Sequence, residues 1–350
     1  MLELLAHAGD TNSFEAAINC GADAIYLGLS DFNARKKAEN FSTDNLREYV
    51  RKAHFFGVKV YVTVNTLVYD DEMPRLVGLV RKAVEAKADA FIVQDLGVAR
   101  VLLKCFPNIV LHASTQLGVH NLYGAKIAEK IGFKRVVLSR ETKLEDIREI
   151  RKGTSLEIEY FVHGALCVAF SGNCYLSAVE QNASGNRGLC KQLCRLPYTA
   201  NVGDRTASGY LLSAKDLCLA DSLKELAEAG VMSFKIEGRL RREGYVGSAV
   251  SIYRQMLNGI AKDLKLTQED KNELKIAYCR GGGYLERAYL DAGTPSVIEK
   301  NFNNHTGLAV GFVTAAEPFK TDLYKVTIKS ERPISKGDGL KFFEKFTDIS

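Results

Sequence analysis

No stretch of this 350-residue sequence approaches the roughly 18 apolar residues of a membrane span. The first ten residues, MLELLAHAGD, have no basic n-region and no long apolar run, so no secretory leader is expected. Both absences point to the cytoplasm, where thiols stay reduced and a disulfide framework is disfavoured. A formal net charge of +5 is too small to mark a nucleic-acid binder by itself. Also missing are GxGxxG after the first strand, HExxH, GxSxG and a P-loop. Dinucleotide-binding, zincin, serine-hydrolase and NTPase readings therefore lack their motifs.

What is present is a repeat of apolar strand, loop, amphipathic helix and small turn over the first 240 residues. Strands are expected at Leu2–Ala6, Ala24–Gly28, Lys59–Asn65, Ala90–Gln94, Ile109–Ser114, Arg135–Ser139, Leu156–His163 and Ser233–Glu237. Most are short continuous apolar runs, as buried parallel strands require. Leu46, Val50, Ala53 and Phe56 share one helical face, as do Leu219, Leu223 and Leu226. Glycines at 21, 57, 132 and 230 mark helix ends. Eight strands at this spacing fit an α/β fold of the TIM-like (β/α)8 type, with a doubly wound open sheet as the alternative. The expected domains are a barrel over 1–255 with a cysteine-rich insertion at 165–232, and a helical, polar linker over 256–304. A small β-domain then starts at 305–350 and reads as cut short. Leu211 to Asp216 is a candidate extra strand, Leu264–Tyr278 a helix, and Gly307–Val313 with Tyr324–Ile328 tail strands.

The segment Glu159 to Cys194 holds four of the eight cysteines, Cys167, Cys174, Cys190 and Cys194. They are separated by six, fifteen and three residues. Zinc sites favour cysteine pairs two to four apart, so only the last pair looks zinc-like. Iron–sulfur clusters accept thiolates from separate loops, and glycines at 164, 172, 185 and 188 let backbone approach one. A cluster is the favoured reading, with zinc and unligated thiols as alternatives. Cys20, Cys105, Cys218 and Cys279 read as small buried hydrophobes.

A second group of polar residues falls at the expected C-terminal strand ends, where barrel active sites are assembled. It comprises His7, Asn65, Gln94-Asp95, His112 to Gln116, Arg140-Glu141, His163, Lys215-Asp216 and Lys235 to Arg239. Each alone could cap a helix or satisfy a buried partner. Arg140, Lys215, Lys235 and Arg239 could hold a carboxylate or phosphate, while His112, Gln116, Glu141 and Asp216 complete a substrate-binding set. Glu237 and His163 are the candidate catalytic proton-transfer groups. The basic runs Arg35-Lys36-Lys37, Arg151-Lys152 and Arg239 to Arg242 read first as solvated surface.

Several stretches resemble one family. They are Glu159-Tyr160-Phe161, Gly164-Ala165-Leu166-Cys167, Gly172-Asn173-Cys174 with Ser177, His112 to Gln116, Asn186 to Tyr198, and Phe234 to Arg239. Together they are similar to the signature of the collagenase-like peptidases, family U32, and closest to its ribosomal RNA hydroxylase branch. Transfer RNA hydroxylases and ubiquinone-pathway proteins are relatives. The resemblance implies an oxygen-independent RNA base hydroxylase with a [4Fe–4S] cluster and prephenate as hydroxyl donor and co-substrate. It also implies a ribosomal RNA cytidine as target. Cys167, Cys174 and Cys190 match cluster ligands, with Cys194 as the fourth. The implied partners are RNA (a ribosomal RNA precursor or transfer RNA) and prephenate, with no membrane. Two other functions compete: proteolysis, for which no nucleophile–base pair or hydrolytic zinc motif is found, and a scaffold whose partner protein supplies the chemistry.

Overall fold

The computed structural model describes residues 2–34, 39–238, 241–291, 293 and 295–343. Seven strands come first: β1 (Glu3–Ala8), β2 (Ala24–Gly28), β3 (Lys59–Val64), β4 (Ala90–Val93), β5 (Leu111–Ala113), β6 (Arg135–Val137) and β7 (Glu157–Ala165). Helices α1 (Thr11–Asn19), α2 (Leu46–Phe55), α3 (Met73–Glu85), α4 (Leu96–Cys105), α5 (Leu122–Ile131) and α6 (Leu144–Gly153) alternate with them. An insertion follows, with α7 (Leu176–Gln181), the hairpin β8 (Tyr198–Val202) and β9 (Arg205–Gly209), and the short β10 (Asp216–Cys218). Helix α8 (Leu223–Ala229) leads to β11 (Val231–Ile236), which pairs in parallel with both β1 and β7. That double pairing closes eight parallel strands into a TIM-like barrel, and the open-sheet alternative is excluded.

Beyond the barrel, α9 (Glu243–Asn258) packs on α1, and α10 (Gln268–Ala277) leads to β12 (Tyr284–Leu285), which pairs with β10. The tail forms an antiparallel hairpin, β13 (Gly311–Lys320) and β14 (Leu323–Ser330). Its first strand begins later than the sequence pattern indicates. The expected strand at Leu211–Asp216 does not form; a short strand, β10, begins at Asp216 and runs antiparallel to the end of β7. Among the described residues no helix is long and apolar enough to cross a membrane.

Local signals explain the element ends. Gly21, Gly57, Gly132 and Gly230 all take positive φ, the left-handed conformation that ends each helix before its next strand. The side chains of Asp10, Asp95 and Asn121 accept from backbone N–H groups in the first turns of α1, α4 and α5. Leu46, Val50 and Ala53 bury one face of α2, whereas Phe56 caps the helix and stands exposed, contrary to the expected stripe.

Alternate strand residues point into the barrel. One layer is apolar and aromatic: Leu5, Ala24, Tyr26, Tyr61, Ala90 and Ile92. Beside it lies a buried ionic chain. Arg135 donates to Glu3 at 2.5 Å, Glu157 at 2.7 Å and Glu159 at 3.1 Å, and Lys235 Nζ lies 2.6 Å from Glu159. Tyr61 and Ser233 also donate to Glu3, at 2.7 and 2.8 Å. Burial alone would raise the Glu3 pKa, but the hydrogen bond and charge of Arg135 hold it below the usual value.

The insertion is tied to the barrel at several points. Arg187 grips Glu72 through both terminal nitrogens, at 2.8 and 2.9 Å, and stacks 4.3 Å from the Tyr69 ring centroid. Leu67 N–H donates to the Asn186 carbonyl. Glu141 accepts from the backbone and hydroxyl of Ser171, whose φ of +48° is unusual for a residue with a side chain. Arg195 donates to the Leu166 carbonyl and the Ser213 hydroxyl.

Two outcomes are expected. Arg135→Met strands Glu3 without its buried cation and leaves Glu159 with Lys235 alone, and should lower stability by about 3–5 kcal/mol in denaturant unfolding. A loss below about 1 kcal/mol would show that the chain of charges does not hold the barrel together. Glu72 titrates at about 2, chiefly because Arg187 hydrogen-bonds its carboxylate. A depressed acid stabilises above its unfolded pKa of about 4.3 and loses that contribution as pH falls through its folded value. Hydrogen exchange around Asn186–Arg187 should therefore quicken as pH drops from about 4.3 toward 2, after correction for intrinsic rates. In Glu72→Gln that pH response should vanish.

Candidate active site

The C-terminal strand ends converge on a mouth whose two sides differ in chemistry. On one side stand Arg140, Phe161, Lys235, Glu237 and Tyr26, from β6, β7, β11 and β2. The Arg140 guanidinium lies 3.7 Å over the Phe161 ring centroid, and its Nη2 is 3.8 Å from Glu237 Oε2. It is 8% exposed, yet its side chain makes no hydrogen bond to a described residue. Lys235 Nζ sits 4.2 Å from the Tyr26 ring centroid and 5.2 Å from that of Phe161. The Tyr26 hydroxyl lies 3.1 Å from the Ile236 carbonyl and 3.4 Å from Glu237 Oε2. Gly164 permits this closeness, because a Cβ there would stand 2.3 Å from the Glu237 carbonyl oxygen.

The other side, at the ends of β3 to β5, presents amides and a hydroxyl. Asn65, Gln94 and Ser114 follow the last residues of β3, β4 and β5, and all three are buried. Asn65 accepts from Ala34 N–H at 3.1 Å and donates to Gln116 Oε1 at 3.4 Å. Gln116 N–H donates to the Ser114 hydroxyl at 3.3 Å.

The four insertion cysteines lie close enough to influence one another. Burial first, then the nearby Cys174 and Cys190, raise the Cys167 pKa, while Ala169 N–H and the Arg140 charge oppose the rise. Cys194 is raised by burial and by the other three thiols, against Arg195. Gln192 N–H points at Cys190 Sγ from 3.4 Å. A Cβ on Gly185 would touch both Cys174 O and Cys190 Cβ, at 3.5 and 3.7 Å. Among the described residues no three His, Cys, Asp or Glu side chains are grouped tightly enough to share a single metal ion. Ala169 N–H and Gln192 N–H, turned toward Cys167 and Cys190, suit a thiolate donor set. Arg140 links this group to the mouth.

Several expected site residues lie elsewhere. His112 is inside the barrel, level with Arg135 in the ladder and edge-on to Tyr61, because its strand continues past it. Burial, and then Arg135, push its pKa well down. His163 is packed among Tyr245, Tyr253 and Tyr284, with ring centroids 5.3 to 5.7 Å away, where the end of β7 pairs with β10. Burial first, then Arg241, bring its pKa to about 3, so the imidazole is neutral. Asp216 is buried in an ion pair with Arg280 at 2.8 Å on β10. Neighbouring Lys215 makes no side-chain hydrogen bond or ion pair with a described residue, and nothing ties it to the mouth. Glu141 anchors Ser171. Arg239 and the run Arg35-Lys36-Lys37 lie outside the described residues. Arg151-Lys152 ends α6, at the opposite end of the barrel from the mouth. Cys218 and Cys279 are buried as expected, Cys20 is partly buried, and Cys105 is exposed in the last turn of α4. Sequence reasoning missed Tyr26, met Phe161 and Glu159 only in the family signature, and did not foresee that Glu159 pairs with Lys235. Their signal was a charged or aromatic residue at inward-facing parity within an apolar run.

The pattern of peptidase family U32 matches residues 9–294. The 23S rRNA 5-hydroxycytidine C2501 synthase of Escherichia coli is 43% identical over 75% of this chain, which spans 40% of that relative's length. The tRNA hydroxylation protein P1 of Bacillus subtilis is 32% identical over 97% of this chain and 83% of its own. The collagenase of Porphyromonas gingivalis is 36% identical over 81% of this chain and 73% of its own. Among solved structures, the U32 peptidase Mk0906 is 17% identical, with a TM-score of 0.41 over 47% of this chain and 69% of its own. With most of its length matching the family pattern, the chain belongs to peptidase family U32.

Proposed function

We propose that this chain is an oxygen-independent RNA base hydroxylase of the cytoplasm. It would act on a pyrimidine, cytidine in large-subunit ribosomal RNA being the first candidate, with a [4Fe–4S] cluster on Cys167, Cys174, Cys190 and Cys194 and prephenate as hydroxyl donor. The relatives' names supply the reaction class. The observation that carries the reading is Arg140, which faces Phe161 and Glu237 at the barrel mouth and whose charge also acts on Cys167. A bound cluster supplies one-electron chemistry without dioxygen.

Arg140 is the best placed of the basic candidates to grip the acid. A buried guanidinium stacked on Phe161, whose N–H groups make no hydrogen bond to a described residue, matches a planar carboxylate in bidentate geometry. Lys235, neutralised by Glu159, adds a second positive group on the same side. Glu237, loosely paired with Arg140, is placed to take the proton from the ring carbon. His163 is not, since a pKa of about 3 makes it a weak proton acceptor and tyrosines enclose it. The proteolytic reading finds no nucleophile–base pair at this mouth.

Deleting the gene and mapping RNA by mass spectrometry should remove one hydroxylated pyrimidine; unchanged modification in every RNA class would defeat the proposal. Protein purified without oxygen should carry about four irons and four sulfides per chain. Cys167→Ser should lose them. Colourless, iron-free wild-type protein would sink the cluster assignment.

A further inference from the structure

The amide side of the mouth has no task in the scheme above, yet it holds the least satisfied polar group there. Gln94 follows β4 at inward parity with Ala90 and Ile92, and it is 6% exposed. Its carboxamide makes no hydrogen bond to a described residue, and Oε1 is fully buried. Leaving such a group unpaired is costly, so a site that keeps it implies a partner that is present only at times. Continuing the registers Val64↔Val93 and Val93↔Ala113 by one residue sets Asn65, Gln94 and Ser114 side by side. Ser114 N–H to Val93 O fixes that step. The Asn65–Gln116 contact uses one amide oxygen and one N–H, which leaves the Gln116 amide nitrogen without a described partner. The Ser139 hydroxyl, at the end of β6, is also buried without a described partner.

We infer that this amide-lined half, centred on Gln94 with Gln116 and Asn65 beside it, seats the extruded pyrimidine and reads its hydrogen-bonding edge. The assignment rests on the hydroxylase reading. A carboxamide presents a donor and an acceptor in one plane, as the N3 and exocyclic amine of cytosine require. Uncharged amides can pair with that edge without leaving a net charge behind a neutral base, whereas the opposite half is built from charged groups that suit an acid. An extruded base is held by contacts of this kind. The mouth is thus divided, with the acid on the Arg140 side and the base on the Gln94 side, so the ring carbon and hydroxyl donor meet between them.

The test uses the full chain with its cluster and the RNA fragment whose modification disappears on gene deletion. Rates are measured while RNA and prephenate are varied separately. Gln94→Met keeps the side-chain length and removes both hydrogen-bonding atoms. It should lower kcat/KM for RNA about tenfold and leave the prephenate KM unchanged. Arg140→Gln should do the reverse. Should the variant fold poorly, the wild-type protein answers the same question. Fragment carrying a pyrimidin-2-one, which lacks the exocyclic amine, at the target position should compete for binding about tenfold less well than the cytidine fragment. Equal competition by the two fragments, RNA kinetics unaltered in Gln94→Met, or a shift in the prephenate KM instead would each overturn the base assignment while the hydroxylase reading stands. Wild-type protein that neither hydroxylates nor binds the fragment would remove the hydroxylase reading itself, and this one with it.

Discussion

Glu159 is the carboxylate on which the interior depends. It lies between two cations, Arg135 at 3.1 Å and Lys235 at 2.6 Å, inside a barrel where water cannot screen any of them. A lysine taken out of water without a counter-ion would lose its proton or drive its strand outward. With Glu159 beneath it, Lys235 can stay charged one layer below the mouth, where its Nζ also lies over the Tyr26 ring. Glu3 balances the second charge of the set through Arg135. Two acids and two bases therefore fill space that bulky aliphatic side chains occupy in most barrels of this kind. Such a core gains little net stability from its ion pairs, because desolvation offsets attraction. What it provides is a charge held in a fixed place.

The same logic governs the insertion. Its sulfur-bearing loops have few regular elements of their own, so their positions come from contacts with the barrel. Arg187 grips Glu72 on the β3 side, Glu141 holds Ser171 on the β6 side, and Arg195 holds the Leu166 carbonyl on the β7 side. These anchors lie around one end of the barrel, which brings the thiols to its rim. Gly164 completes the arrangement by letting the end of β7 pass beside Glu237 without a clash.

Much of the frame was legible from sequence because its signals are local. A buried parallel strand is a short apolar run, and glycine before a strand marks a left-handed helix end; Gly21, Gly132 and Gly230 behave that way. Asp95 caps α4, an outcome its place just before an apolar helix already favoured. The site was less legible because its contacts join distant parts of the chain. Nothing near Glu3 announces Arg135, which lies 132 residues away. His112 was misplaced because strand length, not residue type, decides whether a position falls inside the barrel or at its rim. Asp216 and His163 were misplaced for another reason. The end of β7 pairs with β10 as well as with β11, and that turn carries His163 into a tyrosine cage and sets Asp216 against Arg280.

The two-sided mouth follows from these placements. Charged residues collect on the strands nearest β7 and β11, where Glu159 and Lys235 rise from the interior and Arg140 meets the thiol group. Amides and hydroxyls collect at the ends of β3 to β5, at Asn65, Gln94 and Ser114. An acid entering the amide side would sit beside dipoles too weak to replace its hydration, and a neutral base on the charged side would separate Arg140 from Glu237 and return nothing. On the proposed reading, electrostatics alone therefore orders the two reactants before any chemistry begins. Orientation of that kind turns an encounter between two bound molecules into a directed reaction.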